Sequence, residues 1–309
     1  MADTCSRLWQ RHAGHTLAGS CSRPSPHLTP ALPHRRAARR GGTTTKAGAD
    51  LAGFTSLVQG IAQAAAQPHP GWPTGIAVNT AVFTAGYKVL RKGLTPSGVA
   101  HAWFLGASVF SAFGPGGYLI VCLYFILGTL VTKMKLAQKQ AEGIAEARSG
   151  QRGPASVWGS GIAGVACALA ALATGSFPLW QVGFVASFAS KLSDTVSSEV
   201  GKAYGRTTYL VTTFQLVPRG TEGAVSAEGT AAGVMAALLI AGLAWGLGQV
   251  SWEGCLIVAA AAVVANLFES YLGAVVQGRV VWLTNDLVNM IQISVAAGLA
   301  LAAAAVLRA

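Results

Sequence analysis

SKLSDTVSSEVGKAYGRTTYLVTTFQLVPRGTEGAVSAEGT, residues 190–230, interrupts a chain that is otherwise mostly apolar. It holds Asp194, Glu199, Glu222 and Glu228, four of the eleven acidic residues, together with Lys191, Lys202, Arg206 and Arg219. Apolar runs flank it on both sides. A charge at bilayer depth costs roughly 2.5–3.5 kcal/mol on insertion scales, so opposite charges gathered between apolar runs point to a working site.

Outward from this stretch, the composition is that of a membrane protein. The 309 residues are 52% hydrophobic and 11% charged, against about 25% charged in a soluble domain. Mean hydropathy is +0.49. Apolar runs lie near 75–90, 98–113, 116–132, 156–174, 179–192, 229–248, 254–276 and 288–307. They predict an all-α, polytopic transmembrane bundle of seven or eight spans, although several are at the short end of the roughly 20 residues a span needs. The 38 glycines suit close helix approach, with Gly229-x-x-x-Gly233 and Gly242-x-x-x-Gly246 as packing faces.

The net charge of +11 comes largely from residues 1–50, where eight Lys/Arg face Asp3 and Asp50. No basic stripe with interleaved aromatics exists, which excludes nucleic acid. Residues 1–50 are rich in Arg, Ser, Thr and Pro and lack a continuous apolar core, so they read as an organelle transit peptide rather than a secretory signal. The weak amphipathic pattern favours chloroplast over mitochondrion. Residues 51–74 read as a linker or amphipathic surface helix, and 75–309 as the transmembrane domain with polar loops at 190–230 and 277–289. The five cysteines show no CxxC and no Cys/His metal spacing, so they read as small buried hydrophobes. His101, the last of the six histidines, reads as structural.

Lys and Arg cluster in links 88–92, 133–152 and 191–219 and at Arg279, whereas links 113–117, 174–178 and 249–253 have none. Eight spans put every basic link on one membrane face. The acidic stretches at 194–228 and 285–286 then share that face.

If the fifth run continues as helix through SDTVSSEVGKAYGR, Asp194, Ser197, Ser198 and Gly201 share one face, and Glu199, Lys202 and Arg206 another. A carboxylate beside hydroxyls suits Mg²⁺, which takes one or two protein carboxylates plus phosphate oxygens, so Asp194 and Glu199 are the candidate metal ligands. Glu199 and Lys202 also fit an ordinary i,i+3 ion pair. In VPRGTEGAVSAEGT, the backbone around Gly220, Thr221, Glu222 and Gly223 and the Arg219 fork suit phosphate oxygens. The loop enters a helix beyond Glu228 and near Gly229, whose N-terminus favours anions. It is no Walker A loop, since no Gly-Lys-Ser/Thr follows. Asn266, Glu269, Ser270, Gly273 and Gln277 form a polar stripe, and Asn285, Asp286 and Asn289 open the last run. Capping explains Asn285 or Asp286 alone but not Asn289. Together these suit phosphoryl transfer at a membrane interface. An ion-coupled transporter is the alternative of another class, since an intramembrane Glu269 and Gly-rich spans also fit an ion pathway.

SFASKLSDTVSSEVGKAYGRTTYLVTTFQLVPRGTEGAVSAEGT, with ANLFESYLGA and WLTNDLVNMI, closely resembles the plastid phytyl-phosphate kinases of plants and algae. The resemblance spans about residues 75–309 and is densest at 187–230 and 265–291. It departs from bacterial and animal relatives, which tend to read PPGTNGG where this chain has Pro218-Arg219-Gly220-Thr221-Glu222-Gly223-Ala224. It implies an integral protein of the chloroplast envelope, with the inner envelope as the expected membrane, that phosphorylates phytyl phosphate to phytyl diphosphate for tocopherol (vitamin E) and phylloquinone synthesis. CTP, or another nucleoside triphosphate, is the implied donor and Mg²⁺ the expected cofactor. On this resemblance Asp194, Glu199, Lys202 and Arg219 are catalytic candidates. Lys191, Arg206, Gly220, Thr221, Glu222, Gly223, Glu228 and Gly229 meet nucleotide or phosphate, and Asn266, Glu269, Asn285, Asp286 and Asn289 support the site. Phytol kinase or a cytidylyltransferase-like enzyme is the enzymatic alternative, and a homo-oligomer stays open.

Overall fold

The computed structural model describes residues 46–146, 150–276, 280 and 282–307. The expected leader, apart from its last residues, lies outside them, as do Arg148, Gln277 and Arg279. The helices are α1 (Lys46–Ala65), α2 (Gly71–Gly93), α3 (Pro96–Thr132), the short α4 (Leu136–Ala141), α5 (Pro154–Thr174), α6 (Phe177–Tyr204), α7 (Ala227–Gly246), α8 (Trp252–Val275) and α9 (Asn285–Leu307). Two-residue strands β1 (Tyr209–Leu210) and β2 (Ala224–Val225) pair antiparallel between α6 and α7. Among the described residues, five helices, α3, α5, α7, α8 and α9, are long and apolar enough to cross a membrane. The all-α architecture expected from the apolar runs is borne out. The leader boundary drawn at residue 50 falls inside α1, and α2 begins at Gly71 rather than 75.

α3 is two antiparallel legs. Gly114 adopts φ 59° and ψ −158°, outside helical geometry, and Pro115 follows it. A Cβ added at Gly98 would lie 2.5 Å from the Arg152 carbonyl oxygen, and one at Gly128 would lie 2.6 Å from the Arg152 guanidinium. A straight helix would hold those two glycines about 45 Å apart. The elbow at Gly114 therefore folds the second leg back, and each apolar run of the sequence corresponds to one helix or one leg.

The neutral links gather at one end. His69 stacks on Phe177 at 3.7 Å, and its Nδ1 lies 2.7 Å from the Ala112 carbonyl oxygen. Gln181 donates to Gln249 at 3.2 Å. The basic links gather at the other end: Arg152 N–H donates to Gly93, Gln151 to Arg91, and Lys135 to Ala203. This is the alternation that the charge pattern predicts.

α6 is the hub, in contact with α3, α5, α7, α8 and α9. Phe184, Phe188 and Leu192 on it are fully buried. At 28 residues it is about 42 Å long, more than the roughly 30 Å hydrocarbon core. Its last turns therefore extend beyond the apolar layer toward the basic end. α7 meets α6 through small residues: a Cβ at Gly229 would lie 2.5 Å from the Ser197 carbonyl oxygen, and one at Gly233 would lie 2.8 Å from Ser197 Cβ. Gly242 and Gly246, expected to form a second packing face, meet nothing within 4 Å. Spacing supplies a smooth face, but the position of the neighbouring helix decides whether it is used.

Candidate functional site

The C-terminal half of α6 stays helical because no proline interrupts it, and the chain leaves the helix only at Gly205. One face of it lines a cavity of about 410 Å³ at the basic end. Lys191, Asp194, Ser197, Ser198 and Gly201 stand on that face, with Thr195 and Lys202 at its edges. Lys191 is buried in the helix packing. Its ammonium donates to Asp194 Oδ2 at 2.5 Å and to Asn289 Oδ1 of α9 at 2.8 Å. An ion pair inside a membrane protein needs such added hydrogen bonds to offset its desolvation.

The second wall is the excursion from Gly205 to Ser226. β1 and β2 clamp its base, and Thr208 Oγ1 donates to the Val217 carbonyl at 2.5 Å. The loop then returns through Gly220, Thr221, Glu222 and Gly223, all of which line the cavity. Gly223 has φ +73°, and a Cβ there would lie 2.5 Å from the Ala274 backbone nitrogen on α8, so only glycine lets the loop lie this close. Ser226 caps α7 by accepting from Gly229 N–H at 3.1 Å. Gly229 lines the cavity at the helix start.

The third wall comes from α8 and α9. Asn266 donates to Ser193 at 3.0 Å and to Ser197 at 3.4 Å, which ties α8 to α6. Glu269 and Ser270 follow on the same face, and Asn285 and Asn289 reach the cavity from α9. Asp194, Lys191 and Glu222 all act electrostatically on Glu269. Stretches far apart in the chain thus share one cavity.

Five residues read from the sequence as members of the site lie outside the cavity lining. Glu199 is 1% exposed and pairs with Lys139 of α4, with Lys202 Nζ at 3.6 Å. It points behind α6, and a metal shared with Asp194 would have to reach through the helix. Arg219 Nη2 donates to both carboxylate oxygens of Glu142 at 3.0 Å, and its Nη1 donates to the Lys202 carbonyl at 3.4 Å. Arg206 is exposed, and its N–H lies 3.4 Å from Glu228 Oε1. Glu228 sits in the first turn of α7, where its charge meets the helix dipole. Asp286 lies against α5, 3.5 Å from where a Cβ of Gly159 would stand. Sequence reasoning missed Lys139 and Glu142, which fall in the charged link 133–152. No spacing links them to residues 60 and 77 positions away.

Among the described residues, no group of three or more His, Cys, Asp and Glu stands ready to hold a metal. The oxygen set of the cavity is more open: Asp194, Glu269 and the Asn266 Oδ1, which is buried with no hydrogen-bond partner. Such a set fits Mg²⁺ completed by phosphate oxygens and water, and not a closed protein cage. Outside the spans, partial burial at the cavity mouth pushes the Glu222 carboxyl above its ordinary value. Glu146 and Asp194 add to the shift and Lys202 opposes it. The residue as a whole remains exposed.

A bundle of apolar helices with one charged, glycine-walled cavity at its basic end defines an integral membrane protein with a polar site at one face. The chain belongs to the family described as integral membrane protein DUF92, whose model matches residues 79–297. It is 44% identical to "Protein VTE6, chloroplastic" of Arabidopsis thaliana over 261 residues, 82% of this chain and 78% of that protein. It is 48% identical to an uncharacterized membrane protein of Synechocystis over 74% of this chain and 90% of the other. A third relative, an uncharacterized membrane protein of Methanocaldococcus jannaschii, is 35% identical over 56% of this chain and 71% of its own. No solved structure matches. The matches bear out the resemblance read from blocks 187–230 and 265–291.

Proposed function

We propose that this chain is a chloroplast-membrane phosphotransferase of the vitamin E and phytol pathway. It would carry a phosphoryl group from a nucleoside triphosphate, CTP by analogy with phytol and dolichol kinases, to phytyl phosphate. The single observation that carries this reading is the convergence of 191–202, 220–230 and 266–289 on one cavity at the basic end of an apolar bundle. The 44% identity to a chloroplastic protein supports the compartment, with the inner envelope as the proposed membrane.

The chemistry of the reaction fits the residues present. A phosphate monoester has a second pKa near 6, so the acceptor is mostly ionised at neutral pH. No strong base is needed, and the obstacle is repulsion between two polyanions. Positioning and charge neutralisation supply most of the catalysis in such a transfer. Lys191, fixed by Asp194 and Asn289, and Lys202 at the rim bring positive charge to the phosphates. The Gly220–Gly223 loop offers backbone N–H groups, and the α7 start at Gly229 adds its dipole. Asp194, Glu269 and Asn266 are the residues that would hold Mg²⁺, which when bound neutralises phosphate charge. Glu199 passes from metal ligand to brace.

The test is transfer of radiolabelled phosphate by membranes carrying the chain, offered phytol, phytyl phosphate and geranylgeranyl phosphate with each triphosphate. Diphosphate formed from phytyl phosphate is expected. Transfer to phytol alone would make the chain a phytol kinase, and no transfer with any pair would remove the reading.

A further inference from the structure

A second cavity, of about 210 Å³, lies between α2, both legs of α3, α5 and α6. Its walls are almost wholly hydrocarbon, from Phe83, Val89, Leu105, Phe125 and Phe188 among others. Val82, Val89 and Ile126 at its edges are exposed on the outside of the bundle, where the lipid would be. The cavity therefore opens sideways to the bilayer.

One charged side chain lines it, that of Arg152. Backbone bonds fix this residue between Gly93 and Thr95: its N–H donates to Gly93 O at 2.9 Å, and its carbonyl accepts from Thr95 N–H at 3.0 Å. Its guanidinium lies over the Tyr124 ring, 4.9 Å from the centroid. Among the described residues, no carboxylate pairs with that guanidinium and no oxygen accepts from it. Three acids of the basic end are paired elsewhere: Glu142 with Arg219, Glu199 with Lys139, and Asp194 with Lys191. A guanidinium carries five donors in a fork that matches phosphate or carboxylate. Held at the mouth of an apolar cavity, it complements an amphiphile whose head is an anion and whose body is hydrocarbon.

Tyr124 connects this cavity to the polar one. Its ring carries Arg152 on one side and meets Phe188 at 5.4 Å, and its hydroxyl donates to Ser160 at 2.8 Å. Phe188 lines this cavity, and Lys191, one turn further along α6, lines the polar one.

We infer that this cavity binds a single-chain lipid monophosphate from the bilayer, the chain lying among α2, α3 and α5 and the phosphate meeting Arg152. That this lipid is the acceptor rests on the phosphotransfer reading. Tyr124 and Phe188 are then the partition across which the head passes to Lys191.

The test uses the purified chain in phosphatidylcholine nanodiscs and a diazirine-tailed isoprenyl monophosphate. Crosslinks are expected in 82–90 and 118–126, with the alcohol of the same chain labelling far less. Charge-assisted hydrogen bonds are worth roughly 1.5–3 kcal/mol, so Arg152→Gln lowers labelling at least about tenfold. Because Arg152 also stacks on Tyr124, Gly86→Phe is the second variant. Gly86 lines the cavity, and a Cβ there meets nothing within 4 Å. The ring would fill the space in a folded protein and remove the label. Equal labelling by the alcohol overturns the inference, as does wild-type labelling of Arg152→Gln or of Gly86→Phe. Full displacement of the probe by phosphatidylglycerol would assign the site to a bilayer lipid and overturn the acceptor. Labelling as expected with no transfer under any triphosphate leaves the site standing and removes the phosphotransfer reading.

Discussion

Two lysine–carboxylate pairs have their carboxylates five residues apart on α6, and they have opposite surroundings. Lys191–Asp194 faces the cavity, with Asn266 and Glu269 across from it. Lys139–Glu199 is sealed behind the helix, each partner 1% exposed, and Lys139 also donates to Thr132 O at 2.9 Å. The first pair has a face open to a ligand. The second joins the link after α3 to α6, and neither of its partners lines the cavity. Chemistry that looks equal along the chain is thus divided by which side of one helix each carboxylate leaves.

The sharpest way to break this comparison is Lys139→Met. It leaves the buried Glu199 charge with only Lys202 at 3.6 Å, and breaking a buried pair costs about 3–5 kcal/mol. A large fall in the detergent melting temperature is expected, with little folded protein recovered. A wild-type melt would mean that Glu199 is not buried as described. Next is Asp194→Asn, expected to lower transfer by about 10²–10³ in the way that loss of a preorganised electrostatic group does, while the melt moves far less than for Lys139→Met. Wild-type turnover would remove Asp194 from the site.

Arg219→Ala sharpens the boundary between working and bracing residues. Its pair with Glu142 is 32% exposed on both sides, and such pairs contribute roughly 0.2–1 kcal/mol. A small drop in stability and transfer within a few-fold of wild type are expected. A hundredfold loss of transfer would move Arg219 to the phosphates.

The smallest effect is the pH response of Glu222. Its carboxyl titrates above the ordinary 4.5 in the folded chain, so the folded state binds the proton more tightly than the unfolded. Stability from this group is present below 4.5 and is lost as pH rises through the raised folded value. Glu222→Gln should therefore melt increasingly above wild type as pH climbs through that window. A difference that stays flat with pH would contradict the raised value.

Residues 190–230 announced the site, and most of what the sequence placed there does line the cavity. The face holding Asp194, Ser197, Ser198 and Gly201 was legible because helical periodicity fixes which residues share a side. Asn289 was legible because a polar residue one turn inside an apolar helix has no capping role. That Glu199 lies outside the cavity was not legible, because the Lys139 that pairs with it lies 60 residues away, and no period relates them. Arg219 was drawn toward Glu142 for the same reason. The Arg152 cavity gave no signal at all, since its walls come from four helices and each wall residue alone is ordinary membrane-helix sequence.

Composition and the spacing of apolar runs by themselves determined an all-helical membrane protein whose basic links share one end. Helix length and hydrophobic burial are local quantities that can be summed along a chain. Tertiary structure alone decided which of two neighbouring carboxylates faces the cavity, that α3 doubles back at Gly114, and that a guanidinium is left beside a hydrocarbon cavity. Those outcomes depend on side-chain directions and on distances between segments remote in sequence, which no count of residues contains.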